Sequence, residues 1–475
     1  MRRTVAIDVG TSRVKLGYLD EEGMVCTARV VPTPVIEDEL GLVHDLGALL
    51  ALVEDFLRAL PDPERLERIA VCGVGEAGGL VGPDGLLRSP VVVWHDRRGA
   101  DRLAGIDPLA VYRVTGLPLN ANYALSKIAW AVEQAGPAAE GAVWLNVSEI
   151  VAAHLTGRRW AEPSLASRTM ALDLRARTWS SEVCALLGLG TDVLPEILPA
   201  SHGEPVRSEL AARLGISPEV QVHVAGHDHM VGGVGAGLRP GELLNSTGTT
   251  EGLLELRPEP LLDEEAAASR LSNGLACDGA AWTLFASIPT GGSVFATLRR
   301  LLGVDAARLE SWTADLAARL AVGAIDLSRV PLVVPHFRGS PPPEKSAEAR
   351  AVVANLGDDT SPEDLVLGCF LGMAVQLREV HALFRSSPQE MTVIGPATRN
   401  PLWLQLKADV TGLDVLASTF EEVVSRGAQI LASDGAEPEP LPTRRVEADA
   451  ARGLRLRAWY EEQRAALLRP RGADR

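Results

Sequence analysis

"AIDVGTSRVKLGYLD" (residues 6–20) and "NSTGTTEGLLEL" (residues 245–256) are two versions of one pattern. Each has an apolar strand, a tight turn of Gly and small hydroxyl residues, and a second strand that runs back along the first. In such a turn Gly10 or Gly248 lets backbone N–H groups approach a phosphate, because no Cβ stands in the way. Thr11 and Ser12, or Thr247, Thr249 and Thr250, add hydroxyl donors, and Lys15 adds positive charge. The first stretch alone reads equally as a phosphate loop or as a plain hairpin turn. Its recurrence in the other half favours two loops that face each other and grip a polyphosphate from both sides.

Outward from these hairpins the chain falls into two related halves. The first thirty residues alternate as an antiparallel meander, followed by a helix at about 45–60 and the short apolar runs "RIAVCGVG" (68–75) and "PVVVWHD" (90–96). Helical spacing recurs near 125–136, 147–156 and 208–214. After "LRPGEL" (238–243) the strand–turn–strand grammar restarts, a weak internal repeat that marks a boundary. Helices are then expected at about 292–302, 306–319, 361–385, 400–411 and 425–433. "FRGSPPPEKSAEAR" (337–350) reads as a Pro-rich loop and "SDGAEPEPLPT" (433–443) as an acidic Pro-rich linker. The expected division is 1–240, 241–435, and 436–475 as linker plus terminal helix.

Composition narrows the class. A chain of 475 residues is too long for one core. No run of about 18 apolar residues stands out as a membrane span, and Asp8 interrupts the place where a signal peptide needs its apolar stretch. A cytoplasmic protein is expected, with no membrane partner. The five Cys are scattered without CxxC spacing, which argues against disulfides and against a zinc site. A formal net charge of −16 disfavours nucleic-acid binding. It leaves room for an anionic small ligand held by backbone N–H groups and a cation. Nothing in the sequence fixes the assembly, and a homodimer stays open.

"AGHDHMVGGVGAG" (225–237) sets Asp228 between two His. Residues i and i+2 do not share a helix face and no third ligand lies nearby, so the pattern is a poor transition-metal site. Asp8, at the end of the first strand, suits Mg2+, directly or through water. "VVVWHDRR" (91–98) offers Trp94 as an apolar face for a ligand, with Asp96 and Arg98 as polar anchors, or reads as an edge strand that ends in a charged helix start. Leu402, Leu406 and Val410 in "RNPLWLQLKADVTG" (399–412) repeat at helical spacing and read as core.

Together with "WLNVSEIVAAHLTG" (144–157) and "PSLASRTMALDL" (163–174), these motifs, in this order, resemble the FGGY family of carbohydrate kinases over nearly the whole chain. The resemblance implies an α/β fold of two RNase H-like (actin-like ATPase) domains flanking a deep catalytic cleft. It implies sugar held by the first domain, ATP with Mg2+ gripped by the second, and a ketose or polyol as acceptor. Asp228 takes the place of the family's general base, and Gly292, Gly395, Pro396, Ala397 and Asn400 take the nucleotide side. Glu76 falls in the family's other sugar-contacting loop. Two departures are visible. Gly75-Glu76 matches neither the Met-His of xylulokinases nor the Arg-Glu of glycerol kinases. "VIGPATRNPLW" (393–403) replaces a glycine-rich adenosine motif, and Pro396 there removes one backbone donor. That second departure is the sole support for an alternative reading, a catalytically weak or inactive sugar- and nucleotide-binding sensor.

Overall fold

The computed structural model describes residues 1–433 and 439–468. Two sheets organise it, and both are built alike. In the first, the fully buried strand Thr4–Val9 pairs antiparallel with Arg13–Leu19 and parallel with Arg68–Gly73. Val25–Pro32 extends one side, and Gln221–His227 with the edge strand Gly203–Pro205 the other. In the second, Leu243–Thr247 holds the central place, antiparallel to Glu251–Arg257 and parallel to Glu390–Ile394. Trp282–Ile288 and Ser272–Leu275 continue one side, Asp414–Ser418 and Thr443–Val446 the other. Three antiparallel strands followed by two parallel ones thus occur twice, the RNase H-like α/β arrangement that the family resemblance implies.

The expected helices form with small shifts at their ends, and their caps explain where they begin. Pro362–Ala382 starts at a capping box in which Ser361 and Asp364 satisfy each other's backbone N–H groups. At the start of Val147–Thr156, Glu149 Oε2 accepts both the Asn146 N–H at 2.7 Å and the Asn146 Nδ2 at 3.1 Å. By length and composition Pro362–Ala382 is apolar enough to cross a membrane, which the sequence reading missed, yet 72% of its apolar window is buried inside the protein. A Cβ on its Gly372 would lie 2.1 Å from the Val333 carbonyl, so the helix packs backbone to backbone as a central core element. Leu402, Leu406 and Val410 are fully buried beside it.

Two segments differ from the sequence reading. "PVVVWHD" forms no strand; Val92 makes only isolated bridges to Val43 and Gly78. Residues 434–438 of the expected acidic linker, and 469–475 at the end of the chain, lie outside the described residues. The chain beyond the linker is integral to the second body: Thr443–Val446 pairs with Asp414–Ser418. Leu456 and Tyr460 of the terminal helix Ala450–Leu468 are buried in the same core, and the Tyr460 hydroxyl donates to the Val333 carbonyl at 2.9 Å.

The two sheets meet through two short helices, Asp228–Ala236 and Val423–Leu431. Their contact is glycine against backbone. A Cβ on Gly235 would fall 1.9 Å from the Val423 carbonyl oxygen, and one on Gly427 would fall 2.0 Å from that of Val231. Around this crossing, Ala6, Ala70 and Ala225 of the first sheet share a cluster with Leu244, Leu254 and Ile394 of the second. Gly235→Ala or Gly427→Ala must push the helices apart and is expected to cost about 3 kcal/mol, at the upper end for overpacking. Gly232→Ala is the control, because its Cβ would meet side-chain ends and no backbone, Ile394 Cδ1 at 3.3 Å and Val424 Cγ2 at 3.6 Å. Denaturant unfolding checks this; equal midpoints for the three variants would contradict it.

Candidate active site

The site lies at the C-terminal ends of the parallel strands, where both sheets end in loops. In the first hairpin the Gly10 N–H donates to the Arg13 carbonyl at 3.0 Å, and a Cβ at Gly10 would lie 2.8 Å from that oxygen. Thr11 and Ser12 are exposed at the tip, which Thr33 braces by donating from Oγ1 to the Gly10 carbonyl at 2.7 Å. Lys15 sits opposite Asp8 in register and reaches toward Glu422 of the second half, 3.8 Å away. It shares a cavity of about 390 Å³ with Gly395, Pro396 and Glu422.

Asp8 is buried and its Oδ1 has no hydrogen-bond partner among the described residues. Burial first, and then the charge of Asp228, push its pKa up to about 7, with Lys15 pulling the other way. Asp228 opens its helix. Its Oδ1 accepts the His229 N–H at 2.6 Å and lies 3.0 Å from His227 Nδ1. Burial opposes ionisation there, but the two histidines and the backbone N–H outweigh it and hold Asp228 well below the usual carboxylate range. His229 is itself lowered, mainly by burial, with the charge of Asp228 opposing. Neither histidine is arranged as a metal ligand. The rings stack at 5.6 Å, and His229 packs on Phe285 while its Nδ1 pairs with Ser246 Oγ at 2.7 Å.

A buried carboxyl network fixes this turn. The His227 N–H donates to Ser164 Oγ at 2.9 Å, and Ser164 donates to Glu162 Oε2 at 2.6 Å. Gly226, at φ +123°, leaves the space: a Cβ there would meet Ser164 Oγ at 2.6 Å. Glu149 in turn accepts the Glu162 N–H at 3.1 Å. Burial raises Glu162 to about 8 and Glu149 to about 7.

The short helix Pro163–Ser167, which carries Ser164, delivers Arg168 to the loop of Glu76. Arg168 binds Glu76 Oε1 through Nε at 2.8 Å and Nη2 at 2.7 Å, and its guanidinium lies 5.1 Å from the Tyr123 ring. Glu76 takes φ +65°, a backbone conformation uncommon for a side chain of this kind. Lys127, fully buried, ties the surrounding loops: Nζ donates to the carbonyls of Glu76 at 3.0 Å, Trp94 at 2.6 Å and Asn122 at 2.6 Å. Burial brings its pKa down to about 8, with the charges of Glu76 and Asp96 resisting.

Trp94 is half-buried against the first core beside this clamp. The polar anchors expected next to it are engaged elsewhere. Arg98 spends Nε on Asp96 at 2.9 Å and both terminal nitrogens on Asp38 at 2.7 Å, and its guanidinium lies 5.0 Å from the Trp130 ring. Asp96 and Arg98 line a separate cavity with Leu40, Leu42 and Trp130. Their direct bonds do not include Glu76, Arg168 or Asp228, and they brace the loop that carries Trp94.

On the nucleotide side, three loops close on one another. The Gly292 N–H donates to the Gly248 carbonyl at 2.8 Å, and the Ser293 N–H donates to that of Thr249 at 3.2 Å. Gly395, at φ +87°, lies so close to Thr247 that a Cβ would fall 2.1 Å from its carbonyl oxygen. The Thr247 hydroxyl is already engaged, donating to the Ile394 carbonyl at 2.9 Å and accepting the Ala397 N–H at 3.1 Å. It locks hairpin to loop, while Gly248 and Thr249 are exposed at the tip and Thr250 is half-buried. Beneath them Lys407 is buried against Glu251 at 2.9 Å and also bonds Asn245. Pro396 opens the short 3-10 helix Pro396–Arg399, a position whose N–H has no helical acceptor. Asn400 caps Pro401–Thr411 through the Trp403 N–H at 3.0 Å, leaving its own Nδ2 buried without a partner.

Sequence reasoning missed Lys127, Tyr123, Phe285 and the role of Arg168. A signal existed for two of them: each is a lone cation in a small, apolar run, "ALSKIAWA" and "SLASRTMAL". Tyr123 and Phe285 look like ordinary core.

Comparison with known proteins now places the chain. A model described as the FGGY family of carbohydrate kinases, N-terminal domain, matches residues 3–235, and its C-terminal-domain counterpart matches 243–435. The chain belongs to the FGGY family of carbohydrate kinases, enzymes that phosphorylate a sugar or polyol. A glycerol kinase of Gloeobacter violaceus is 28% identical over 508 residues, covering 98% of this chain and 96% of that protein. A xylulose kinase of Klebsiella pneumoniae is 26% identical, covering 98% of each. Among solved structures, a ligand-bound xylulose kinase of Lactobacillus acidophilus superposes with a TM-score of 0.86 at 18% identity, covering 98% of each chain. Plasmodium falciparum glycerol kinase with ADP gives 0.85 at 19%, covering 99% of each. These two likenesses show the fold.

The buried carboxyls set a pH dependence. Glu162 and Glu149 are raised from an ordinary 4.5 to about 8 and about 7, so the folded state holds protons the unfolded chain has lost. Stability is therefore fullest below about pH 4.5 as far as these groups go, and falls as pH rises through 7 and 8. Glu162→Gln is expected to flatten the decline between pH 6 and 9 in denaturant unfolding; an unchanged slope would show that Glu162 does not titrate there.

Proposed function

We propose that Asp228 is the general base that accepts the proton of the attacking sugar hydroxyl as the phosphoryl group of ATP is transferred to it. The observation that carries this reading is a carboxylate held ionised, at the start of a helix, between the two hairpins and next to a second carboxylate. Its Oδ1 is fixed by the His229 N–H, and no hydrogen bond among the described residues occupies Oδ2. An ionised, oriented carboxylate within reach of the acceptor is what proton removal needs.

Asp8 fits a divalent cation. Its buried, unpartnered Oδ1 and its pKa raised to about 7 mark a carboxylate that lacks a counter-charge. Among the described residues no three His, Cys, Asp or Glu side chains are grouped as a ligand set. That suits Mg2+, which keeps most of its shell as water and phosphate oxygens. Asp8 would hold it, directly or through water, and the ion would supply charge neutralisation along the phosphates.

The chain's own groups do the rest. The Gly10–Ser12 and Gly248–Thr250 tips offer N–H and hydroxyl donors to the phosphates, with Lys15 adding charge. Thr247, Gly292 and Gly395 act by holding the second tip in place. Ala397 and Asn400 line the adenosine side, and Pro396 removes only a donor with no helical acceptor to lose. Glu76 and Trp94, held by Lys127, face the sugar. Closure of the halves would exclude water from the transfer.

Asp228→Asn is expected to lower kcat by about a thousandfold, the usual size of a general-base contribution, with the sugar KM within about threefold. ADP release checks this, and an undiminished rate would remove Asp228 from the role. Because Asp8 must lose its proton to hold a cation, kcat/KM for MgATP should rise with pH through about 7. Asp8→Asn should abolish that limb; a limb retained in the variant would assign it to another group.

A further inference from the structure

The sugar side carries more positive charge than its carboxylates can neutralise. Arg168 is 7% exposed and binds Glu76 with two of its nitrogens, but its third, Nη1, is buried with no partner. A guanidinium N–H left without an acceptor is costly, so this one is set for an oxygen that arrives from outside. The rings of Tyr123 and Phe285, at 5.1 and 5.8 Å, keep the group in plane. Gly75 makes room for it: a Cβ there would press on Arg168 Cβ and Cγ at 3.1 Å and on His227 at 2.7 Å. The departure at Gly75-Glu76 thus has a structural counterpart, since the space a side chain would fill at 75 is taken by Arg168.

A second cation comes from the other half. The loop 339–346 is closed on itself: the Ser340 N–H donates to the Ser346 carbonyl at 2.9 Å, Ser340 Oγ donates to that of Glu344 at 2.6 Å, and the Ser346 N–H returns to Ser340 Oγ at 3.0 Å. Lys345 lies between these pinned residues, with its side chain outside the core and close enough to Arg168, Glu76 and Arg270 for their charges to act on it. Surrounding protein first, and then the like charge of Arg168, hold its ammonium below the ordinary lysine range, with Glu76 opposing. Neither Lys345 nor Arg270 has a carboxylate within 4 Å among the described residues. Three cations therefore share this region with two carboxylates, Glu76, which Arg168 already occupies, and Asp228, whose charge also acts on Arg168, in a protein whose net charge is −16. A neutral diol would satisfy Nη1 and leave the surplus charge unmatched. An anionic group satisfies both.

Resting on the kinase reading above, we propose that this cluster recognises a carboxylate on the substrate. The acceptor is then a polyhydroxy acid of the aldonate type, its carboxylate between Arg168 Nη1 and Lys345 and its reacting hydroxyl toward Asp228. Because Lys345 comes from the second half and Arg168 from the first, binding the acid would also draw the halves together.

The test is ADP release, with ATP and Mg2+, across matched sets of four to six carbons: the aldonate, the alditol, the ketose and its terminal phosphate ester. Lys345→Gln, Arg270→Gln and Asp228→Asn run beside the wild type. An aldonate should give the highest kcat/KM, and Lys345→Gln should raise its KM about tenfold, the usual weight of a charged hydrogen bond, with kcat little changed. Added salt should raise KM for the acid and not for a neutral sugar. A neutral sugar or phosphate ester as best substrate, with KM unmoved by Lys345→Gln, overturns the carboxylate site and leaves the Asp228 reading standing. If no compound exceeds the Asp228→Asn blank, calorimetry with the aldonates decides. Binding lost in Lys345→Gln upholds the site and counts against turnover, whereas absence of binding overturns the site.

Discussion

Two like charges brought to one buried edge set the terms for the rest of this molecule. Asp8 and Asp228 stand at the ends of strands that flank Arg68–Gly73 on either side. Each raises the cost of ionising the other, and the two are treated differently. Asp228 receives an N–H and a histidine and stays charged; Asp8 receives neither and keeps a proton up to about pH 7. Paired carboxyls with separated proton affinities are the usual way for one site to hold both a ready base and a group that waits for a counter-ion. The asymmetry is built locally, by the two histidines that flank Asp228 and the N–H at its helix start, and not by distant charge.

Such an edge is unfavourable to fold, and the sequence shows how it is held. Gly226, Gly235 and Gly427 remove side chains where backbone must touch backbone or a buried hydroxyl. Ser164, Glu162 and Glu149 form a chain of hydrogen bonds behind His227, and Lys127 gathers three carbonyls that would otherwise be buried without donors. The second half repeats the device, with Lys407, Glu251 and Asn245 under its hairpin. In both halves a buried cation serves loop geometry, which is the use of buried charge that survives its desolvation cost.

How much of this was legible depends on how local each feature is. The two sheets could be read from the repeated hairpins, because strand period and turn chemistry are short-range signals. Asp8 and the glycine turns were singled out for the same reason, and Asp228 through the family resemblance. Asp96 and Arg98 show the limit. Their types suit a sugar, but Asp38 lies sixty residues from Arg98 in sequence, and no spacing rule foretells that it neutralises it. Thr247 shows it again, since a hydroxyl that reads as a phosphate donor is engaged by Ile394, nearly 150 residues on. Arg168, Lys127, Tyr123 and Phe285 converge from four elements, so their meaning exists only after folding.

The charge distribution of the cleft obeys one logic from end to end. At the phosphate end the chain supplies Lys15 and backbone donors, and it leaves Asp8 short of positive charge that a cation would bring. At the far end it supplies Arg168, Lys345 and Arg270, and it is short of negative charge. A protein with net charge −16 gains nothing in solubility from a cluster of cations of which Arg168 alone has a paired carboxylate, Glu76. Keeping the others apart from carboxylates lowers stability, and such a cost persists where a ligand removes it. Each end of the cleft is thus electrostatically incomplete in the opposite sense, and each deficit specifies the charge of what must bind there.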